Sequence, residues 1–269
     1  MKKKNLIVIP ANDKSLHFHW LKYNQRSYDI FIIDYTSDAK LKGGEQEYYL
    51  HSKGPKWKLI AEAVESLGEQ IKAYDYVFMP DDDLHIRADH LNMMFEMASQ
   101  LDLDIGQPTL TSNSFMDLNI TVHTLLLKYR RTSFVEVMMP FFKSQHVYDY
   151  LGYFKDAEAG WWLENLWYRD WKEKGLRLGM LDRITATHIR TFNAPPRKSL
   201  GLETKGMYAE MKQDPWEERD LMLKKYNLPQ HKAKTLSSYT LCNVRVPNLY
   251  GRWVRKAVKK AKFAKPENQ

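Results

Sequence analysis

The sequence is poor in cysteine and in long apolar runs: Cys242 is its one cysteine, and no run approaches the 18 residues that a membrane-spanning helix needs. One cysteine excludes an internal disulfide and a thiolate metal cluster, and suits a reducing compartment. The opening Lys2-Lys3-Lys4 is followed only by Leu6 to Ile9 before Pro10, too short for a signal-peptide core, so the chain is expected to stay in the cytosol. No internal repeat is visible. Excess charge is also scarce over most of the chain. The formal net charge is +8, but residues 251–269 hold seven Lys or Arg against Glu267 alone, a tail of +6 that leaves +2 for the rest. A nearly neutral body argues against nucleic acid as a partner and marks the C-terminal segment as the specialised one.

Core material is plentiful, with 43% hydrophobic and 13% aromatic residues, enough for one large α/β domain. Asn5 to Pro10 reads as a first strand and Tyr28 to Asp34 as a second. Trp57, Ile60, Val64, Leu67 and Ile71 fall at helical spacing, as do Leu91, Met94, Phe95, Ala98 and Leu101, whose methionine-rich stripe reads as core. Further strands are expected over Ile105 to Leu110, Phe134 to Met139 and Leu178 to Leu181. Glu136, inside the second of these, is expected to pair with Arg130 or Arg131. Ser144 is expected to cap a helix, and Gly160 to Trp171 to form another.

Chemistry concentrates where the apolar run Tyr76 to Met79 delivers Asp81, Asp82 and Asp83. Adjacent like charges repel and lose hydration, so they face water, serve as a helix N-cap, or meet a cation. A strand end is where ligands bind in open α/β sheets, and alternate residues Asp81 and Asp83 can turn their oxygens to one ion. His188, beyond the last expected strand, either is structural or completes an Asp/Asp/His site. Asn12 and Asp34 follow strands and read as turn residues or nucleoside contacts. Lys53 and Lys56 flank a helix start, so they are either solvated or meet phosphate. Around Gly160-Trp161-Trp162-Leu163-Glu164, aromatic faces beside the acids Glu158 and Glu164 suit a sugar as well as a core.

Five stretches occur in a telling order: Lys53-Gly54-Pro55-Lys56-Trp57, Met79 to Leu84, Gln107-Pro108-Thr109-Leu110-Thr111, Phe134 to Met138, and Gly160 to Glu164. Over about residues 5 to 192 the chain resembles GT-A glycosyltransferases, and more narrowly is similar to the plant and bacterial family known as domain of unknown function 707. The resemblance implies a GT-A-like, mostly parallel mixed sheet flanked by helices. A catalytic domain is expected over 1–192. The Pro-, Gly- and charge-rich composition that follows reads as a polar loop and helical extension over 193–250 packing on it, and the spacing of Trp253, Val254, Ala257, Val258 and Ala261 among cations as a basic amphipathic tail over 251–269. By the resemblance, Asp81 and Asp83 match the pair that holds Mn²⁺ or Mg²⁺ against the diphosphate of a nucleotide sugar, and His188 matches a late histidine of the metal shell. Glu164 stands where relatives carry an Asp after Gly-Trp-Gly-Leu, the catalytic base of inverting members, although Trp162 replaces a glycine and Glu an Asp.

The roles expected are therefore Asp81, Asp83 and His188 as metal clamp and Glu164 as base with Glu158 as substitute. Lys53, Lys56 and Asp82 would contact the diphosphate side, and Asn12 and Asp34 the nucleoside. The expected reaction moves a sugar from a nucleotide-sugar donor to a glycan or lipid-linked acceptor in surface polysaccharide synthesis. The tail over 251–269 would rest on an anionic membrane, on the inner face of the plasma membrane. The rival readings are another metal-dependent nucleotidyl-transferring enzyme and a non-catalytic carbohydrate-binding or scaffold protein.

Overall fold

A computed structural model describes residues 3–116, 118–189 and 214–247. The basic segment 251–269, and the expected extension up to residue 213, lie outside the described residues. In chain order the elements are β1 (Asn5–Ala11), α1 (Phe18–Leu21), β2 (Tyr28–Asp34), β3 (Tyr48–His51), α2 (Lys56–Leu67), β4 (Tyr76–Phe78), β5 (Leu84–His85), α3 (Ala88–Gln100), β6 (Ile105–Leu110), β7 (Leu127–Thr132), β8 (Phe141–Lys143), α4 (Ser144–Asp156), α5 (Leu163–Lys174), β9 (Leu178–His188), α6 (Pro215–Lys225), β10 (Thr235–Thr240) and β11 (Arg245–Val246).

Among the described residues these strands form a mixed sheet ordered β11-β10-β7-β9-β6-β8-β4-β1-β2-β3, with β5 paired to β9. The chain is an α/β domain. β3, β2, β1 and β4 run parallel; β8 joins them antiparallel to β6, which runs parallel to β9. Strand alternation sorts the core into two layers. Leu6, Val8, Phe31 and Ile33 face α2, α4 and α5, while Ile7, Ile9, Ile30 and Ile32 face α1 and α3. Helices cover both sides, which is why β1 and β2 are apolar along their whole length.

Several expectations are corrected. Phe134 to Met139 is buried but not a strand: it crosses the strand ends as a loop whose backbone bonds to side chains. Glu136 N–H donates to Gln107 Oε1 at 2.6 Å, and the Val137 and Met138 carbonyls accept from Lys56. β9 does not stop at Leu181 but continues to His188, because Asp182 is neutralised inside the sheet by Arg130. Arg130, expected beside Glu136, thus spends its guanidinium on Asp182, and Arg131 donates to the Leu101 carbonyl. Ser144 does not cap α4; it is the first helical residue, and its hydroxyl donates to the Tyr74 carbonyl.

The Arg130–Asp182 pair is completely buried, with Nε at 2.7 Å and Nη2 at 3.0 Å from the two carboxylate oxygens, and the guanidinium also donates to the Ile120 and Val122 carbonyls. Arg130→Met strands a carboxylate in the core and is expected to cost about 3–5 kcal/mol, read as a lower urea midpoint at unchanged slope.

Candidate functional site at the carboxyl end of the sheet

β4 ends at Phe78, and Met79 and Pro80 carry the chain past the sheet rim into the three aspartates. β5 then turns back to pair with the last residues of β9, in the register Leu84↔His188 and His85↔Thr187. That register fixes Asp83 beside His188, and the Ile189 N–H closes it by donating to the Asp83 carbonyl at 3.2 Å. His188 Nε2–H donates to Asp83 Oδ2 at 3.1 Å and Nδ1–H to the Phe115 carbonyl at 2.9 Å. Burial works against charge on this imidazole. The Asp83 bond and charge, the Phe115 carbonyl and the Asp81 charge outweigh it and raise His188 to about 9. The position favours a cation.

Each aspartate has a different environment. Asp81 Oδ1 accepts from Lys56 Nζ at 2.6 Å, and the same ammonium donates to the Val137 and Met138 carbonyls at 2.9 and 3.1 Å. Burial pulls the Lys56 ammonium below its ordinary range and pushes the Asp81 carboxyl above its own, while each partner's charge acts the other way. Asp82 Oδ2 accepts from the Ser15 hydroxyl at 2.6 Å and the Tyr35 hydroxyl at 2.7 Å, and Asn12 Nδ2 donates to Tyr35 in turn. Asp83 is buried; its Oδ1 has no hydrogen-bond partner among the described residues.

A metal ion is what the aspartate motif implies, and part of the donor set suits one. Asp83 offers a buried oxygen with no hydrogen-bond partner among the described residues, and His188 Nε2, beside the other oxygen, would become a ligand on giving up its proton as a cation enters. Hard divalent ions that hold phosphates complete their shell from phosphate and water, so one or two protein ligands suffice. Asp81 fits less well, since Lys56 already neutralises the oxygen it would offer. Among the described residues no three His, Cys, Asp or Glu side chains are gathered as a ready cage. Asp83 and His188 are the pair that fits.

The acids of the aromatic stretch are reached through the same loop. Val137, whose carbonyl accepts from Lys56, donates its N–H to Glu164 Oε1 at 3.3 Å, tying the first turn of α5 to the aspartate loop. His231 Nε2 lies 3.9 Å from Glu164 Oε2. Burial, helped by Arg219, lowers that imidazole to about 4, so it is neutral near pH 7. Glu158 instead accepts from Lys58 Nζ at 3.1 Å.

Packing explains why these motifs meet. Gly160 has φ +75°, and a Cβ there would come within 2.3 Å of the Trp57 ring. The tryptophan of the Lys53–Trp57 stretch thus rests on the glycine that opens Gly160–Glu164. Glu218 of α6, almost wholly buried, accepts from the backbone N–H groups of Glu158, Ala159 and Gly160 and from the Trp162 indole. Trp162, standing where the resemblance expects glycine, therefore contributes the donor that locks this turn to α6.

No protein-family model and no curated protein sequence matches the chain. Among solved structures it is similar to TarS residues 1–349 of S. aureus, at 11% identity and a TM-score of 0.47, covering 70% of this chain and 60% of that one. It is similar to the catalytic domain of Drosophila β1,4-galactosyltransferase 7 solved with xylobiose, at 16% identity, a TM-score of 0.44, and 86% and 82% coverage. It is also similar to GalNAc-T7 solved with UDP, GalNAc and Mn²⁺, at 10% identity, a TM-score of 0.48, and 75% and 46% coverage. The chain thus spans 60% of the length of the TarS chain it resembles. At such distance none of the three assigns chemistry to residues here.

The other expected site residues lie at various distances from the cluster's business. Lys53 is exposed, and its ammonium donates to the Ser37 hydroxyl at 3.3 Å. Asn12 closes its own turn, its Oδ1 accepting from Lys14 N–H at 2.7 Å, and reaches the aspartates only through Tyr35. Asp34, expected at the nucleoside, is 0% exposed and spends its oxygens on Thr36, Leu41 and Tyr49. Burial opposes its charge, but those bonds outweigh it and hold the carboxyl below the ordinary range. It shapes the loop after β2 rather than facing a ligand. Ser15, Tyr35, Glu218 and His231 were not foreseen. Only Tyr35, next to a strand-ending aspartate, carried a local signal.

Proposed function

We propose that this chain is a metal-dependent glycosyltransferase, moving a sugar from a nucleotide-sugar donor to a hydroxyl of a glycan or lipid-linked acceptor in surface polysaccharide synthesis. The observation that carries it is the strand-end cluster, in which Asp83 keeps a buried, unbonded oxygen beside His188 while Glu164 is tied to the same loop. Asp83 and His188 would hold Mn²⁺ or Mg²⁺, which stabilises the charge that develops on a leaving diphosphate.

The remaining roles belong to side chains. Lys56, fixed at the start of α2, holds Asp81 and the 137–138 carbonyls in place, so the aspartate loop does not collapse under its own repulsion. Asp82, held by Ser15 and Tyr35, would face the donor together with Asn12. Lys53, exposed at the mouth of the same helix, is placed to meet phosphate. Glu164 takes the acceptor proton as attack proceeds. Glu158 is the substitute, although its carboxylate is already paired with Lys58.

No helix among the described residues is long and apolar enough to cross a membrane. The basic segment 251–269 is proposed to add an electrostatic attraction to an anionic membrane surface on the cytoplasmic side.

The test is calorimetry of the full chain against a panel of nucleoside diphosphates with Mn²⁺ and with chelator, followed by incubation with labelled nucleotide sugars and nucleoside triphosphates. Cation-dependent diphosphate binding and sugar transfer are expected. Sugar binding without diphosphate release, in the presence of a suitable acceptor, would instead indicate a binding or scaffold protein, and product from triphosphates a nucleotidyltransferase.

A further inference from the structure

At the same end of the sheet as the aspartates, but with β9, β6 and β8 between it and β4, the edge where β7 begins and β10 finishes is both apolar and cationic. β7 and β10 pair with Leu127 opposite Thr240, which brings two turns side by side. One is closed by Leu127 N–H donating to the Thr124 carbonyl and presents Leu125 and Leu126, 62% and 59% exposed. The other, between β10 and β11, is closed by Asn243 N–H to Thr240 O and Thr240 N–H to Val244 O; it presents Leu241 and Val244, 46% and 58% exposed. Lys128 Nζ donates to Asn243 Oδ1 at 3.0 Å and bridges the turns. Folding does not hide these aliphatic side chains.

Leu126 is held at φ +67°, a left-handed conformation that a branched side chain adopts at a cost. Strain at a residue whose side chain points outward does not serve core packing, and such strain concentrates at functional positions. The exposed charge on the turns is positive, since Asp182, which accepts from Thr124 N–H, is buried and paired with Arg130. Residues 118–132 and 228–247 contain no Asp or Glu, while Lys128 and the exposed Arg245 sit at the turns themselves. Behind them Tyr129 and Tyr239 stack with centroids 4.5 Å apart and planes 8° from parallel, the amphipathic ring type that favours a membrane interface.

We infer that these two turns are a docking surface for an anionic lipid bilayer, with Leu125, Leu126, Leu241 and Val244 entering the headgroup and acyl boundary and Lys128 and Arg245 meeting lipid phosphate. A second copy of the chain is disfavoured, because a symmetric contact would set these cations against their own equivalents. The inference does not depend on the glycosyltransferase reading, and it concerns residues other than the 251–269 segment.

The sole cysteine makes the surface directly testable. Cys242 is exposed, lies between Leu241 and Asn243, and belongs to no part of the aspartate site. The full chain, labelled there with a nitrobenzoxadiazole probe, is mixed with phosphatidylcholine vesicles containing or lacking about 30% phosphatidylglycerol. A blue-shifted, brightened emission is expected with the anionic vesicles. In the Leu125→Ser/Leu126→Ser double variant, checked for an unchanged circular dichroism spectrum, vesicle affinity should fall about ten-fold or more. Three results would overturn the inference. They are sedimentation with vesicles but no change at the probe, no association at all, and a lipid-independent shift that follows dimer formation in light scattering.

Discussion

Asp83→Asn is expected to remove cation-dependent binding of a nucleoside diphosphate while leaving the fold intact. Truncating a buried charged partner of this kind costs about 2–5 kcal/mol of binding, which calorimetry with and without Mn²⁺ resolves easily. The fold should survive because the hydrogen bond of the Asp83 side chain to His188, at 3.1 Å, can be remade by an amide oxygen. A second readout needs no ligand. His188, raised to about 9 chiefly through Asp83 against the effect of burial, should titrate at lower pH in the variant, as followed by its ring proton resonances. The sign also sets a stability effect. A histidine whose folded value is raised contributes stability that is full below its unfolded value of about 6.5 and lost as pH rises through about 9. The stability gap between wild type and variant should therefore narrow across that window. Unchanged affinity would remove the clamp assignment.

Glu164→Gln carries the next largest effect, a fall in transfer rate of about two to four powers of ten with donor binding retained. The substitution is near isosteric, and an amide oxygen still accepts from Val137 N–H, so the loop that Lys56 and Glu164 share keeps its place. What is lost is the capacity to take a proton. Steady-state turnover measured beside donor affinity separates that loss from a displaced loop, which would weaken both. Near wild-type turnover would move the base to Glu158, despite its Lys58 partner, or point to a retaining mechanism.

Much of this architecture could be read in advance where burial and periodicity agree. β2 occupies Tyr28–Asp34, the stretch expected of it, and α2 and α3 follow their apolar spacing, because each of these elements buries the face its pattern marks. Phe134 to Met139 misled for a physical reason. Apart from Glu136 its side chains are apolar because they pack into the core, and its backbone bonds to Gln107, Lys56 and Glu164, all distant in sequence. Asp182 misled in the opposite way, as a charge that looked like a strand end and is buried against Arg130. β10, Thr235-Leu-Ser-Ser-Tyr-Thr, offers little apolar alternation, so pairing with β7 rather than burial defines it. At the site, the aspartates and His188 could be read from residue type and position. That Lys56 serves Asp81, and that Asp34 is closed off, depended on contacts that no local pattern encodes.

The seat of Trp57 on Gly160 has a mechanical meaning. Lys56 precedes that indole by one residue and Glu164 follows that glycine by four, and a contact with no room for a methyl group lies between the two helices. Cation and acid are consequently mounted on one stiff jaw whose gap cannot flex. Whatever breathing accompanies entry and departure of a ligand must fall to the facing rim, where Asn12 to Ser15 and Tyr35 to Leu41 are held by hydroxyls and turns rather than by interlocked rings.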